Sequence, residues 1–124
     1  MLVLIVDDTR TITALLQVYL MGLGLQFVEA RNGEEAFQAV LVHRPALVIT
    51  DVQMPVMNGF ALCEAIRADP SAAGTPVVLL TSLNDEKSRE RGHEVGATAF
   101  LNKPVAVKEL RALVCAILGL SPPA

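Results

Sequence analysis

The sequence has no run of lysine or arginine, no tryptophan, and only two cysteines, Cys63 and Cys115, far apart in its 124 residues. With no basic run and a net charge of −3, the domain is not expected to grip nucleic acid by itself, because that binding rests on neutralising phosphates. Both cysteines lie in helix-like apolar segments and read as small core residues, so no disulfide is expected. Charged residues are scarce at 19% and hydrophobic ones plentiful at 52%, which rules out intrinsic disorder. No basic leader is present: Met1 runs straight into an apolar stretch and two aspartates, so no signal peptide is read and a cytoplasmic location is expected. Residues 11–28 carry no charge and approach the roughly 20 apolar residues of a membrane span. Thr11, Thr13, Gln17 and Gln26 interrupt them, however, and Gly22 and Gly24 break them, so a soluble helix followed by a buried strand is expected. No internal repeat, low-complexity tract or interior linker is visible. The length suits one domain, which buries about two thirds of its unfolded surface and needs no structural metal.

What the chain does have is alternation. Residues 2–6 are a continuous β-rich run ending in Asp7 and Asp8. Across 11–21, Ile12, Leu15, Leu16, Tyr19 and Leu20 recur at helical intervals, and Gly22 and Gly24 stop the helix. Residues 25–30 form a second strand. Asn32 is placed to cap a helix that ends before Pro45, with Glu35 three residues on to answer it. A third strand, 46–50, ends in Asp51; a loop with Pro55 leads to a helix capped by Asn58, with Phe60, Leu62, Cys63 and Ile66 inward. A fourth strand, 77–80, ends in Thr81 and Ser82, and Asn84, Asp85 and Glu86 start a polar helix reaching about Val95. A short fifth strand, 97–101, ends in Asn102, Lys103 and Pro104. The last helix, 107–118, carries a core stripe of Val107, Leu110, Val114 and Ile117, and 119–124 form a tail or the start of a linker. Continuous rather than alternating apolar strands mean that both sheet faces are covered. The prediction over 1–118 is an α/β fold: five parallel strands, doubly wound, in a three-layer αβα sandwich.

In such a sheet, ligands bind outside the carboxyl ends of the strands. Those ends present Asp7 and Asp8, then Asp51, Thr81 and Lys103: three carboxylates, a hydroxyl and an ammonium on one edge. Crowded carboxylates repel, and a hard divalent cation relieves them. Oxygen ligands with no histidine or cysteine nearby favour Mg²⁺ or Mn²⁺ over zinc. A metal, a lysine and a hydroxyl around a free carboxylate are what phosphoryl transfer onto that carboxylate requires. His43 and His93 read as surface residues, and Tyr19 and the phenylalanines as packing.

The whole chain resembles a receiver domain of a two-component response regulator. The likeness is carried by Val6-Asp7-Asp8, by Asp51 with Met54-Pro55 and Asn58-Gly59, by Thr81, and by Lys103-Pro104. The resemblance implies a flavodoxin-like strand order of 2-1-3-4-5. It implies Asp51 as phosphoacceptor from a histidine kinase or phosphotransfer protein, in a Mg²⁺- or Mn²⁺-dependent reaction. Asp8 and Asp51 would hold the metal directly, Asp7 through water, and the backbone carbonyl of Gln53 would complete the protein ligands. Lys103 would pair with phosphoryl oxygens ahead of a cis Pro104, Thr81 would hydrogen-bond the phosphoryl group, and Phe100 would be the switch aromatic, without a tyrosine's hydroxyl. A downstream effector domain or protein would read the new charge, and a phosphorylation-dependent homodimer is a further implied state. The domain would modify itself rather than act as an enzyme on others. Residues 97–100 lack the acidic pair associated with receivers joined to winged-helix DNA-binding domains, which weighs against that output.

Competing readings fit less well. A dehalogenase-type phosphohydrolase would want a second carboxylate two residues after its nucleophile, where Gln53 stands. A nucleotide or flavin site would want a phosphate loop after the first strand, where Asp-Asp-Thr-Arg repels phosphate unless a metal intervenes. A phosphorylation-independent docking module remains the alternative, and the intact acidic set argues against it. The resemblance implies that Gln53 and Leu83 lie beside the phosphoryl group and tune its lifetime, and Leu83, two residues after Thr81, cannot hydrogen-bond an attacking water. Slow self-dephosphorylation is therefore expected, and Leu83→Glu or Leu83→Asn should speed the decay of phosphorylated protein in a time course of intact mass. An unchanged decay would sink the idea.

Overall fold

The structure, a computed structural model, describes residues 1–82 and 86–121. Leu83, the helix opening assigned to Asn84 and Asp85, and tail residues 122–124 lie outside that range. Ten elements alternate: β1 Leu2–Val6, α1 Arg10–Tyr19, β2 Gln26–Ala30, α2 Gly33–His43, β3 Leu47–Asp51, α3 Gly59–Ala68, β4 Val77–Thr81, α4 Glu86–Glu94, β5 Ala99–Asn102 and α5 Val107–Leu118. Every strand pair is parallel, and the order is β2-β1-β3-β4-β5. The doubly wound sandwich and its strand order are both present.

Alternation along each strand divides the core into two layers. Leu4, Val6, Val48, Val77 and Leu79 face α2 and α3, where they meet Ala36, Val40, Leu62, Cys63 and Ile66. Val3, Ile5, Leu47, Ile49, Val78 and Leu80 face the other side and pack on Leu16 and Leu20 of α1 and on Leu110 and Val114 of α5. Two-sided cover holds for β1, β3 and β4, which are buried almost throughout. It fails at the edges: Gln26 and Glu29 of β2 are exposed and all of β5 is half-buried, since an edge strand has a neighbour on one side only.

Several boundaries and one core assignment shift. The fifth strand begins at Ala99 rather than 97, because Gly96 takes a left-handed turn (φ 82°) and the Ala97 N–H returns to the Gly92 carbonyl, leaving Ala97 to close α4. Val107 is exposed at the first turn of α5, so the buried stripe there is Leu110 and Val114, joined by Cys115. Both asparagine caps form: Asn32 Oδ1 accepts from the Glu35 N–H at 2.8 Å and Asn58 Oδ1 from the Ala61 N–H at 2.9 Å.

Arg67, near the end of α3, ties the rim opposite the strands' carboxyl ends. Its guanidinium donates to the carbonyls of Gly96 (2.9 Å), Ala73 (3.1 Å) and Thr75 and to Thr98 Oγ1 (3.4 Å). One side chain thus joins three segments. Arg67→Met should cost about 1–3 kcal/mol in urea unfolding, as carbonyls lose charge-assisted donors. Arg44→Met, which removes a single bond to the Ser71 carbonyl (3.3 Å), should stay within about 0.5 kcal/mol. Equal losses would show that the four-point grip adds nothing.

Candidate functional site

The strand order reverses between β1 and β3, so the ends of these two strands lie side by side at the switch point of the sheet. Asp7 and Asp8 leave β1 there, and Asp51 is the last residue of β3. One carboxylate oxygen from each of the three lies within 4.8 Å of the others. Asp7 and Asp51 are buried, at 3% and 9% exposure, while Asp8 opens to solvent.

Lys103, just past β5, reaches back over the pair. Its Nζ stands 3.4 Å from Asp51 Oδ2 and 3.5 Å from Asp7 Oδ2. The Lys103–Pro104 peptide is cis, and the Lys103 N–H bonds the Thr81 carbonyl at 2.8 Å, tying the end of β5 to that of β4. Thr81 itself is fully buried as the last residue of β4, the strand next to Asp51. Gln53 turns its backbone N–H to Asp51 Oδ1 at 3.4 Å, and its side-chain Oε1 accepts from Ser82 Oγ at the same distance. The structure therefore gathers Asp7, Asp8, Asp51 and Lys103 into one cluster and sets Thr81 and Gln53 at its border.

Local structure explains the tight fit. An added Cβ on Gly59 would lie 2.4 Å from the Asp51 carbonyl oxygen, so only glycine lets α3 start this close to the end of β3. In the loop before it, Val56 holds φ 68° with 76% of its surface exposed, a left-handed conformation that disfavours a β-branched residue. Thr9 had no assigned role in the sequence, yet its N–H donates to Asp7 Oδ1 at 2.9 Å and its hydroxyl lies 3.4 Å from Asp8 Oδ1. An Asp followed two residues on by a free N–H is the signal of such a turn. Arg31 also reaches the site from 24 residues away, through the Asp7 carbonyl at 3.2 Å, and nothing local in the sequence marks it.

Three carboxylates meet one ammonium, which leaves excess negative charge in a partly closed site. The donor set is all oxygen, and Asp8 keeps an open approach, so the residues fit a small hard cation that retains water. Asp51 records the strain of the arrangement. Burial pushes its carboxyl above the usual range and the Asp7 charge adds to this, while Lys103 and the Gln53 N–H pull down without reversing it.

A family model described as the response regulator receiver domain matches residues 3–115. The chain belongs to that family. The transcriptional regulatory protein GltR of Pseudomonas aeruginosa is 38% identical over 116 residues, which are 94% of this chain and 48% of that protein. A gliding motility regulatory protein of Myxococcus xanthus is 39% identical over 101 residues, 82% of this receiver and 13% of that protein. The chain thus spans about half, or less, of the curated relatives it matches. Among solved structures, the signal receiver domain of a histidine kinase from Syntrophus aciditrophicus superposes with a TM-score of 0.88 at 37% identity, covering 99% of this chain and 94% of that one. A chemotaxis response regulator of Vibrio cholerae gives 0.86 at 32% identity, covering 94% and 98%.

The position of Asp51 has a measurable consequence. Folded Asp51 holds its proton to higher pH than the unfolded chain, whose carboxyl keeps the usual 3.8, so the folded state binds more protons across that interval. The contribution of Asp51 to metal-free stability then falls as pH rises from 3.8 through the folded value. Asp51→Asn removes this loss. In EDTA its urea midpoint should exceed wild type at neutral pH, and the gap should close below the ordinary carboxylate range. A gap independent of pH would overturn the assignment.

Proposed function

We propose that Asp51 accepts a phosphoryl group in a Mg²⁺-dependent reaction and that the phosphorylated receiver switches a partner or effector. The observation that carries this reading is the place of Asp51: it ends the central strand β3 within the three-carboxylate cluster, and Lys103 Nζ stands 3.4 Å from it. Asp8 and Asp51 would hold the cation, with Asp7 acting through water and the Gln53 carbonyl as a further ligand; Mn²⁺ would serve in place of Mg²⁺. When bound, the cation supplies positive charge to draw in and neutralise the phosphoryl oxygens.

The donor is the phosphohistidine of a histidine kinase or phosphotransfer protein. A carboxylate oxygen of Asp51 bonds to phosphorus as the P–N bond breaks, and the imidazole leaves with its electron pair. Lys103 offers an ammonium to the transferred oxygens from the position it already holds over Asp51. Thr81 adds a hydroxyl donor at the neighbouring strand end. The new group carries about −1.5 to −2 charges, to which the surrounding loops must adjust. Phosphorylation then shifts an inactive–active equilibrium, with Phe100 turning inward as Thr81 moves.

One phosphoryl group is taken per chain and slowly lost to water, so the domain is a substrate and switch rather than an enzyme. It would work in the cytoplasm, with no grip on nucleic acid of its own, and a phosphorylation-dependent homodimer is one route to output. Among the described residues no helix is long and apolar enough to cross a membrane. The relatives attach related receivers to different outputs, since one is named a transcriptional regulator and one a gliding motility regulator.

Incubation with acetyl phosphate and Mg²⁺, followed by intact mass, should add one phosphoryl group. Asp51→Asn and an EDTA control should both remain unmodified. No mass gain in folded wild type with Mg²⁺ would instead favour a docking module that works without phosphorylation.

A further inference from the structure

Asp7 is held by more than its strand. Its backbone N–H donates to the Ala30 carbonyl at 3.1 Å, and its own carbonyl accepts from the Arg31 guanidinium at 3.2 Å. Ala30, which ends β2, and Arg31, just past it, therefore hold the N–H and the C=O of Asp7. The carbonyl that Arg31 holds belongs to the peptide joining Asp7 to Asp8, so fixing it sets the plane from which Asp8 projects.

Arg31 is itself fixed. The nitrogen that meets Asp7 also donates to Thr13 Oγ1 at 3.0 Å, and its other terminal nitrogen meets Glu29 Oε1 at 2.9 Å. Thr13 is fully buried in α1, and its hydroxyl donates in turn to the Arg10 carbonyl at 3.0 Å. Glu29 is held below the usual carboxylate range by the neighbouring Thr13 side chain and by Arg31. Three acceptors, one just past β1, one on β2 and one on α1, leave the guanidinium plane one orientation. A lysine, with a single nitrogen, cannot meet all three.

We propose that Arg31 is a positioning residue for the cation site: it orients the Asp7–Asp8 peptide, and through it the two carboxylates, from outside the ligand set. The proposal rests on reading the acidic cluster as a Mg²⁺ site. Two effects of Arg31 have opposite signs, which makes the proposal testable. As a nearby cation it repels Mg²⁺, so its charge alone predicts tighter binding once it is removed. As a positioning residue it predicts weaker binding, because residues that orient metal ligands typically set about 10–100-fold in affinity.

The experiment is calorimetric titration of Mg²⁺ into unphosphorylated wild type, Arg31→Met and Arg31→Lys, with urea midpoints and amide NMR spectra of the metal-free proteins. Both variants should bind Mg²⁺ about tenfold more weakly, Arg31→Met despite losing a repulsive charge. The Asp8 and Thr9 amide signals should move before any metal is added. Thr13→Val keeps the buried volume, removes one acceptor of Arg31, and should weaken Mg²⁺ in the same direction; it carries the test if Arg31→Met does not fold. Unchanged or tighter binding by a folded Arg31→Met, or by Thr13→Val in its place, overturns the proposal. Wild type that takes up no Mg²⁺ removes the cation site itself, a failure distinct from a site that binds without regard to Arg31.

Discussion

Asp7, Asp8 and Asp51 repel one another across less than 4.8 Å, and the fold has to hold them together against that repulsion. Asp7 and Asp51 are buried, so their charge cannot be dispersed into solvent as that of exposed Asp8 can. Lys103 offsets part of it at 3.4 and 3.5 Å. The rest is resisted by three inner strands whose side chains are locked in two packed layers. A small shift in any of these strands would disturb side chains on both faces, because cores packed at this density do not yield continuously. The edge where charge collects is thus mounted on the least deformable part of the molecule.

Rigidity falls off outward from the inner strands. Around Asp51, α3 begins at the closest approach a glycine permits, and the Val52 N–H is bound to the Leu80 carbonyl at 3.0 Å. The connecting loop carries Val56 in a left-handed conformation, which costs about 1–2 kcal/mol for a residue with a Cβ. Strain in a loop beside a reactive group is tolerated when the flanking elements over-determine its path. Here the Gly33 N–H, at the start of α2, bonds the Met57 carbonyl at 3.0 Å, so the loop is held from a second element.

The fold was legible because each strand is a short apolar run and each run stops at a polar residue on the same edge of the sheet. Asp7, Asp51, Thr81 and Lys103 could be found without knowing any contact, since connectivity alone brings successive strand ends together. The strand order came from family resemblance, not from periodicity. What stayed hidden depends on partners distant in sequence. Arg31 acts on a residue 24 positions earlier, and Arg67 on carbonyls up to 29 positions later. Nothing local in the sequence marks either arginine. Val107 misled for the opposite reason: it keeps the helical spacing of the core stripe but sits exposed in the first turn of α5.

Helix α4 sinks little of itself into the core. Its buried residues are Ser88 and Gly92, so no large side chain of the helix is sunk into the core. Val95 just past its end is buried, and exposed polar contacts add to that: Arg91 pairs with Glu64 on α3, and Arg89 donates to Asn102 Oδ1 at 3.0 Å. An element fixed by few apolar contacts and by exposed charge opens at lower free energy than its neighbours. Phe100 lies beneath it, close enough that a Cβ on Gly92 would come within 2.9 Å of the ring. The half-buried aromatic and the helix above it therefore share one space, and a change in the ring's position has to displace α4 or wait for it to move. The same β4–β5 rim carries Thr81 and, through its carbonyl, the Lys103 backbone. A charge added at Asp51 thus meets a rigid sheet on one side and, on the other, a helix that buries no large side chain, which gives the disturbance a direction in which to travel.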